Sequence, residues 1–484
     1  MIDYKSLDNL QDLFVRLCDE RKDDTIPAFK YIKEDKVITV SFSDFTKDLT
    51  SAASYYAKKN ISGKAGLIGA NRYEWLVNLY ALWILGIPTV LLGNNFSTDE
   101  IIDCTKDTEL SAMIYDESCR DLVSVLKDEE TYPMWEKKEG MDTDLSLSDF
   151  QNGKKPDDIC LIFFTSGTSA KKKAVMHSVR SVMAGVLNSI VKCNFESQLL
   201  LLPFHHLAGF NPALNTLCLG GCACINDDFR NLFKNLALLK PQYLVAVPSM
   251  LKVLVKKVKK GGLYGQDLGW DLRYVNCGGA RFTPEIVDPL HAAGMQVMNS
   301  YGASETGGLG FCYSVEEYKE NIIGRCPKEM EAKIADDELV IKSDSVMMGY
   351  YGNEEATAKA LKDGWYHTGD LARKDEDGYF YVIGRKSNRI ILSNGENVSP
   401  EEVEAALSKC ELVTEVLVSE KNDFIGATFY VEKLSEEKKA LIEAFVADYN
   451  KTVVSFKRIA FVSYKDQPFE KNATGKIIRN TILY

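Results

Sequence analysis

The chain has 484 residues, 45% of them hydrophobic and 26% charged, so it can bury a large core and is long enough for more than one domain. Its net charge of -11 excludes a generic binder of nucleic acid or anionic membrane, because counterion release needs a basic surface, and any phosphate site has to be local. The twelve cysteines form no paired framework and the five histidines no zinc spacing, which predicts buried thiols and argues against a catalytic metal held by protein ligands alone.

The opening stretch, "MIDYKSLDNLQDLFVRLCDER", is amphipathic and charged throughout. It lacks the basic start and apolar stretch of a secretory signal, and a cytoplasmic protein is expected. Residues 75–93, "WLVNLYALWILGIPTVLLG", are interrupted by Asn78, Gly86 and Pro88 and read as a buried helix, a turn and a strand rather than an integral membrane segment. Apolar runs then alternate with amphipathic ones, as in "CLIFF" before "SVRSVMAGVLNSIVKC" and "YLVAVP" before "SMLKVLVKKVKK". This is the signature of α/β layering. Residues 127–158 are charged and turn-rich and are expected to join subdomains over the surface.

After about residue 330 short strands predict a β-rich section, with Asp377 and Gly378 at a hairpin turn. Ser399 and Glu402 have the spacing of a capping box, and the chain beyond them has its own strands and helices. The expected architecture is α/β: a large N-terminal domain of α/β layered subdomains plus a β-rich subdomain at 1–385, and a small α+β domain at 386–484.

One loop carries chemistry. In "FFTSGTSAKKKAVMHS", residues 163–178, an apolar strand leads into Thr165, Ser166, Gly167, Thr168 and Ser169, followed by lysines 171, 172 and 173. Hydroxyls, a glycine that lets backbone amides converge, and clustered positive charge suit a phosphate. The loop is not GxxxxGK[ST], and the chain has no GxSxG elbow and no strand-to-helix GxGxxG.

The loop resembles the TSGTTGxPKG signature of the adenylate-forming (AMP-binding) superfamily of acyl-CoA synthetases, luciferases and peptide-synthetase adenylation domains. Ala170, Lys172 and Ala174 depart from that signature, so Lys171 and Lys173 match family positions while Lys172 stands where proline is usual. Four further motifs occur in family order: "LLPFHHLAGF" at 201–210, "NSYGASETGG" at 299–308, "GWYHTGDL" at 364–371 and "GRKSNRIILSNGENVSP" from 384, before a closing "PFEKNATGKIIRN". The likeness runs from about residue 69 to Lys476.

The resemblance implies an acid–thiol ligase that uses ATP, Mg2+ and coenzyme A. It implies a nucleotide site of Thr165, Ser166, Gly167, Thr168, Ser169, Lys171, Lys173, Gly278, Gly279, Ala280, Asn299, Tyr301, Gly302, Ser304, Asp370 and Arg385, with the last two on the ribose. For Tyr301, core packing and adenine stacking stand as equal readings. Glu305 would be a hard oxygen ligand to magnesium, His206 the gate of the carboxylate pocket and Lys476 the adenylation lysine. Ser387 aligns with the hinge, where aspartate or lysine is usual, and Gly395 with the channel for the coenzyme A thiol.

No aspartate in 201–210 pairs a substrate amine, which disfavours an α-amino acid, and the junction lacks the insertion of ligases that feed an acyl carrier protein. Coenzyme A is therefore the expected acceptor, with a carrier protein as the alternative. "NRYEW" at 71–75 and the junction look most like long- and medium-chain acyl-CoA synthetases, and a fatty or aryl acid is the expected substrate. A non-catalytic nucleotide-binding protein would be expected to lose Glu305 or Lys476, and both are present.

Overall fold

The computed structural model describes residues 3–138, 143–165, 172–188, 193–261, 270–279, 284–308, 310–314, 317, 319, 322–393, 396–471 and 477–479. The chain separates into two compact units. The larger comprises Met1–Tyr318, Arg325–Glu331 and Lys342–Tyr366, and the smaller Lys319–Gly324, Ala332–Ile341 and His367–Tyr484.

The larger unit is layered α/β. One sheet has the strand order Gly349–Tyr350, Lys173–Ser178, Ile159–Thr165, Thr89–Leu92, Lys64–Ile68, Leu110–Tyr115, Glu130–Pro133. Its central strands are parallel and unbroken in apolar character, because helices cover both faces. Residues 75–93 resolve as expected into the end of the helix Tyr73–Ile84, a turn and the strand Thr89–Leu92. The helix is apolar nearly all round, with Trp75, Tyr80 and Trp83 essentially inaccessible, as a helix inside a core requires. Among the described residues no helix is long and apolar enough to cross a membrane.

A second run of parallel strands in this unit takes the order Gln296–Tyr301, Tyr274–Gly278, Tyr243–Ala246, Ser197–Leu200, Cys222–Ile225, Phe29–Lys33. Leu199, Leu244, Val275 and Val297 face the helices Leu232–Leu239, Pro248–Gly261 and Pro284–Ala292 in one apolar cluster. The cysteines are all unpaired, and Cys222 and Cys224 lie in this core as small hydrophobes.

In the smaller unit, the part of Trp365–Lys374 from His367 onward and Tyr379–Arg385 form the expected hairpin, turning at Asp377 and Gly378, the latter at φ +85°. A three-stranded sheet of Glu415–Lys421, Phe424–Tyr430 and Ile459–Lys465 packs with the helices Pro400–Leu407 and Glu436–Thr452 around Val403, Leu407, Val418, Phe429 and Ile442. Ser399 is the N-cap of Pro400–Leu407, but no capping box forms. Its hydroxyl donates to the Ile383 carbonyl at 3.2 Å, and Glu402 pairs with Lys457 at 2.8 Å.

Candidate active site

The predicted phosphate loop lies between two strands that pair with each other. Ile159–Thr165 pairs antiparallel with Lys173–Ser178, Thr165 opposite Lys173, so the residues after the lysine run form a strand before the helix Val179–Asn188 begins. Ser166, Gly167, Thr168, Ser169 and Lys171 lie outside the described residues. The two described lysines go to different partners. Lys173 places its ammonium 4.9 Å from the ring centre of Tyr350. Lys172 places its own 4.1 Å from that of Phe96 and 3.0 Å from Glu100 Oε1. Glu100 is fixed by the capping box of Thr98–Thr108, accepting the Ser97 amide at 2.8 Å, and that amide and Lys172 hold its carboxyl below the usual range. The lysine that replaces proline is therefore a tether from the hairpin to the start of this helix.

Gly278, Asn299 and Tyr301 stand at the carboxyl ends of neighbouring parallel strands, where open α/β sheets place their ligands. A Cβ on Gly278 would meet nothing within 4 Å, and one on Gly279, at φ +76°, nothing nearer than 3.9 Å. Ala280 lies outside the described residues. Tyr301 meets Phe311 edge-on at 6.0 Å while remaining half-buried, and Asn299 is buried.

After Gly302 the chain makes a single 3-10 turn, Ser304–Thr306, closed by Gly307 at φ +65°. Gly307 tolerates no side chain, since a Cβ would stand 2.3 Å from the Ser345 carbonyl oxygen. Three contacts fix the turn. His177 Nε2 lies 2.9 Å from the Ser304 carbonyl, the Met347 amide donates to the Glu305 carbonyl at 2.8 Å, and the Tyr350 hydroxyl donates to Glu305 Oε1 at 2.8 Å. A single carboxylate with one oxygen so held fits magnesium, which keeps waters and phosphate oxygens as its other ligands. Among the described residues no group of three or more His, Cys, Asp or Glu could hold a metal ion unaided.

His206 is the N-cap of Leu207–Cys218. Its amide donates to the Pro203 carbonyl at 3.0 Å, and Gly209 presses on the same oxygen, where a Cβ would come within 2.0 Å. The P-x-x-H-x-x-G spacing is thus the sequence of one tight helix entry. The His205 and His206 rings are 4.2 Å apart. Burial, then His206, then Lys172 push His205 down to about 3, and burial followed by Lys172 lowers His206, so both are neutral at neutral pH.

In the smaller unit Asp370 and Arg385 are directly opposed across the hairpin, with Arg385 Nε 2.9 Å from Asp370 Oδ1 and Nη1 donating to the Thr368 carbonyl at 2.9 Å. Beside them the buried carboxylate of Glu338 accepts the Gly369 amide at 2.8 Å and Lys386 at 2.9 Å, with His367 at 3.2 Å. Burial opposes its charge, but these partners together hold the carboxyl below the usual range. Ser387 is exposed in the turn Lys386–Asn388. Gly395 and Lys476 lie outside the described residues. The segments flanking Lys476 are tied down. The Phe469 amide donates to Glu415 at 2.9 Å, Lys471 pairs with the same carboxylate, and Arg479 reaches Glu404 at 2.6 Å and Glu401 at 3.5 Å.

Three residues that organise these groups carry no motif in the sequence: His177, Tyr350 and Glu338. His177 is fully buried, stacked on Phe163 at 5.4 Å and 3.1 Å from the Ser181 hydroxyl, and burial pushes it down to about 4. Its only sequence signal is an imidazole in the apolar run "AVMHS". Tyr350 comes after "MMG" in a turn-rich stretch, and nothing in sequence order brings it to Glu305.

Comparison with known proteins identifies the fold and the family. A 2-succinylbenzoate–CoA ligase from Listeria innocua is 27% identical over 461 residues, covering 90% of this chain and 94% of that one. The O-succinylbenzoate coenzyme A synthetase of Bacillus subtilis, solved in complex with AMP, superposes with a TM-score of 0.79 at 23% identity, covering 98% of each chain. ATP-bound MatB from Rhodopseudomonas palustris gives 0.82 at 20% identity, again covering 98% of each. The model of the AMP-binding enzyme family matches residues 16–351 and that of the AMP-binding enzyme C-terminal domain residues 387–484. The hairpin loop, the Ser304–Glu305 turn and the Asp370–Arg385 pair are thus carried on a chain that belongs to the AMP-binding enzyme family.

Proposed function

We propose that the protein is an AMP-forming acid–thiol ligase that activates an aryl carboxylic acid with ATP and transfers the acyl group to coenzyme A. The observation that carries this reading is the meeting of Lys173 and Glu305 on Tyr350: a cation at the exit of the hydroxyl-rich loop stands over the ring, and a carboxylate accepts from its hydroxyl. The acid's carboxylate oxygen attacks the α-phosphorus, the bond to the bridging oxygen breaks and pyrophosphate leaves. The thiol then adds to the acyl carbon of the mixed anhydride and AMP leaves.

The protein's part is alignment and neutralisation of growing negative charge. Residues 165–173 cradle the β- and γ-phosphates, Asp370 and Arg385 hold the ribose, His206 borders the carboxylate and Lys476 neutralises the carboxylate and α-phosphate. Glu305 would hold magnesium, which when bound screens the phosphate oxygens. The boundary between the adenylating part and the domain carrying Lys476 is placed at 385/386, with Ser387 as hinge and Gly395 in the thiol channel.

An aryl acid is preferred over the long- or medium-chain acid suggested by "NRYEW", because the curated relatives are 2-succinylbenzoate ligases. A fatty-acid role recedes accordingly. Use of ATP and coenzyme A goes with a cytoplasmic location. The test is a panel of aryl, short-chain and long-chain acids scored for AMP release with and without coenzyme A. Acid-dependent AMP and pyrophosphate release is expected, strongest with aryl acids. Acid-independent release of phosphate would overturn the reading.

A further inference from the structure

We propose that Tyr350 is a positioning residue that holds Glu305 ready for magnesium, and that Lys173 strengthens this hold from above the ring. The inference rests on the reading of Glu305 as the metal carboxylate.

Tyr350 belongs to the two-residue strand Gly349–Tyr350, which pairs antiparallel with Lys173–Ser178, Tyr350 opposite Val175. Its backbone is fixed on both sides: the Tyr351 amide donates to the Ala174 carbonyl and the Met348 amide to that of Met176, both at 2.8 Å, and its own amide donates to the Thr357 hydroxyl at 2.9 Å. The ring is buried, at 6% exposure. A phenol so fixed, donating at 2.8 Å to Glu305 Oε1, makes a charge-assisted bond stronger than a neutral one.

A glutamate otherwise spends rotamer entropy when it is brought to a ligand. Here that ordering is complete beforehand. The Lys173 ammonium, 4.9 Å from the ring centre, is within reach of the π-face and draws electron density from the phenol, which makes its hydroxyl a better donor. The strand Lys173–Ser178 therefore has two links to the Ser304–Glu305 turn: one through Tyr350, paired opposite Val175, to the carboxylate, and one from its own His177 to the Ser304 carbonyl.

The experiment is calorimetric titration of the whole protein with ATP, without acid, in saturating magnesium and in EDTA, for wild type, Tyr350→Phe, Glu305→Gln and the double variant. The readout is the factor by which magnesium tightens ATP binding. Tyr350→Phe keeps the ring and its packing. It should lower that factor by about tenfold, while affinity in EDTA stays within about twofold. In the Glu305→Gln background it should add nothing, because the hydroxyl acts only through that carboxylate. Lys173→Met should lower the factor less than Tyr350→Phe does, and less again when the hydroxyl is absent. An undiminished magnesium factor in Tyr350→Phe, with the Glu305→Gln factor lost, overturns the role of Tyr350 and leaves the metal reading standing. An undiminished factor in Glu305→Gln overturns the metal reading itself. Equal loss of ATP affinity with and without magnesium in Tyr350→Phe would make the hydroxyl structural and overturn the inference.

Discussion

Acidification should weaken the larger unit, and the buried imidazole of His177 has a share of that loss that one variant can isolate. His177 is inaccessible, stacked on Phe163, and its Nε2 must carry the proton, because the Ser304 carbonyl can only accept. The neutral ring is what the fold holds, and burial lowers its proton affinity from the ordinary 6.5 to about 4. In the unfolded chain the same ring takes a proton below about 6.5. The stabilisation is therefore fully present above that pH and is lost as pH falls toward 4. At about 1.4 kcal/mol per pH unit the loss comes to about 3 kcal/mol, a large share of a typical domain's stability. His177→Gln keeps an amide donor for Ser304 but has no titration. Urea unfolding at a series of pH values between 7 and 4 should show the advantage of wild type over His177→Gln shrinking by that amount. With only five histidines in the chain, the His177 ring can also be identified by NMR through its absence in the variant. A ring that titrates near 6.5, or a wild-type advantage independent of pH, would refute the reasoning.

Lys172→Met removes one partly exposed ion pair and a cation over Phe96. It should cost no more than about 1 kcal/mol in thermal or urea denaturation. Because Lys172 helps to keep His206 deprotonated, the acid limb of the pH–rate profile should move to higher pH in the same variant. Gly307→Ala forces a side chain into a left-handed backbone against the Ser345 carbonyl, and should destabilise by about 2–4 kcal/mol, measured by urea unfolding. Lys476→Ala should slow adenylate formation by about 10²–10³, with a smaller effect on thioester formation from preformed adenylate, measured as separate half-reactions. Equal loss in both would contradict the role.

The parallel core and the motif order were legible because each depends on local pattern. Unbroken apolar runs make buried strands, and Asp370 and Arg385 stand in short, distinctive segments. The strand Lys173–Ser178 was not legible, because "KAVMHS" lies between a lysine run and a helix and owes its extended form to pairing on both sides. Tyr350 lies 45 residues from Glu305, on a strand of a different sheet from the one that leads into the Glu305 turn, and only tertiary packing brings them together. The capping box at Ser399 fits the local rule but does not form, because the Glu402 amide donates to the Ser399 backbone carbonyl and the Glu402 carboxylate pairs with Lys457, distant in sequence. Lys172 shows the converse. As one of three lysines it has no distinct meaning in the sequence, and its partner Glu100 belongs to a helix cap distant in the chain.

Lys471 and Ile477 face each other across an antiparallel bridge, and their neighbours are anchored on Glu415 and on Glu404. Residues 472–476 span the gap, so chain length alone limits any excursion of Lys476 from its own unit to about 10 Å. A fraying tail could carry its ammonium anywhere, whereas a short span with both ends fastened cannot. Under the proposed role of Lys476, delivering that charge for adenylation and withdrawing it before the thiol arrives would therefore require the unit that carries it to move, since the short span cannot supply the motion alone.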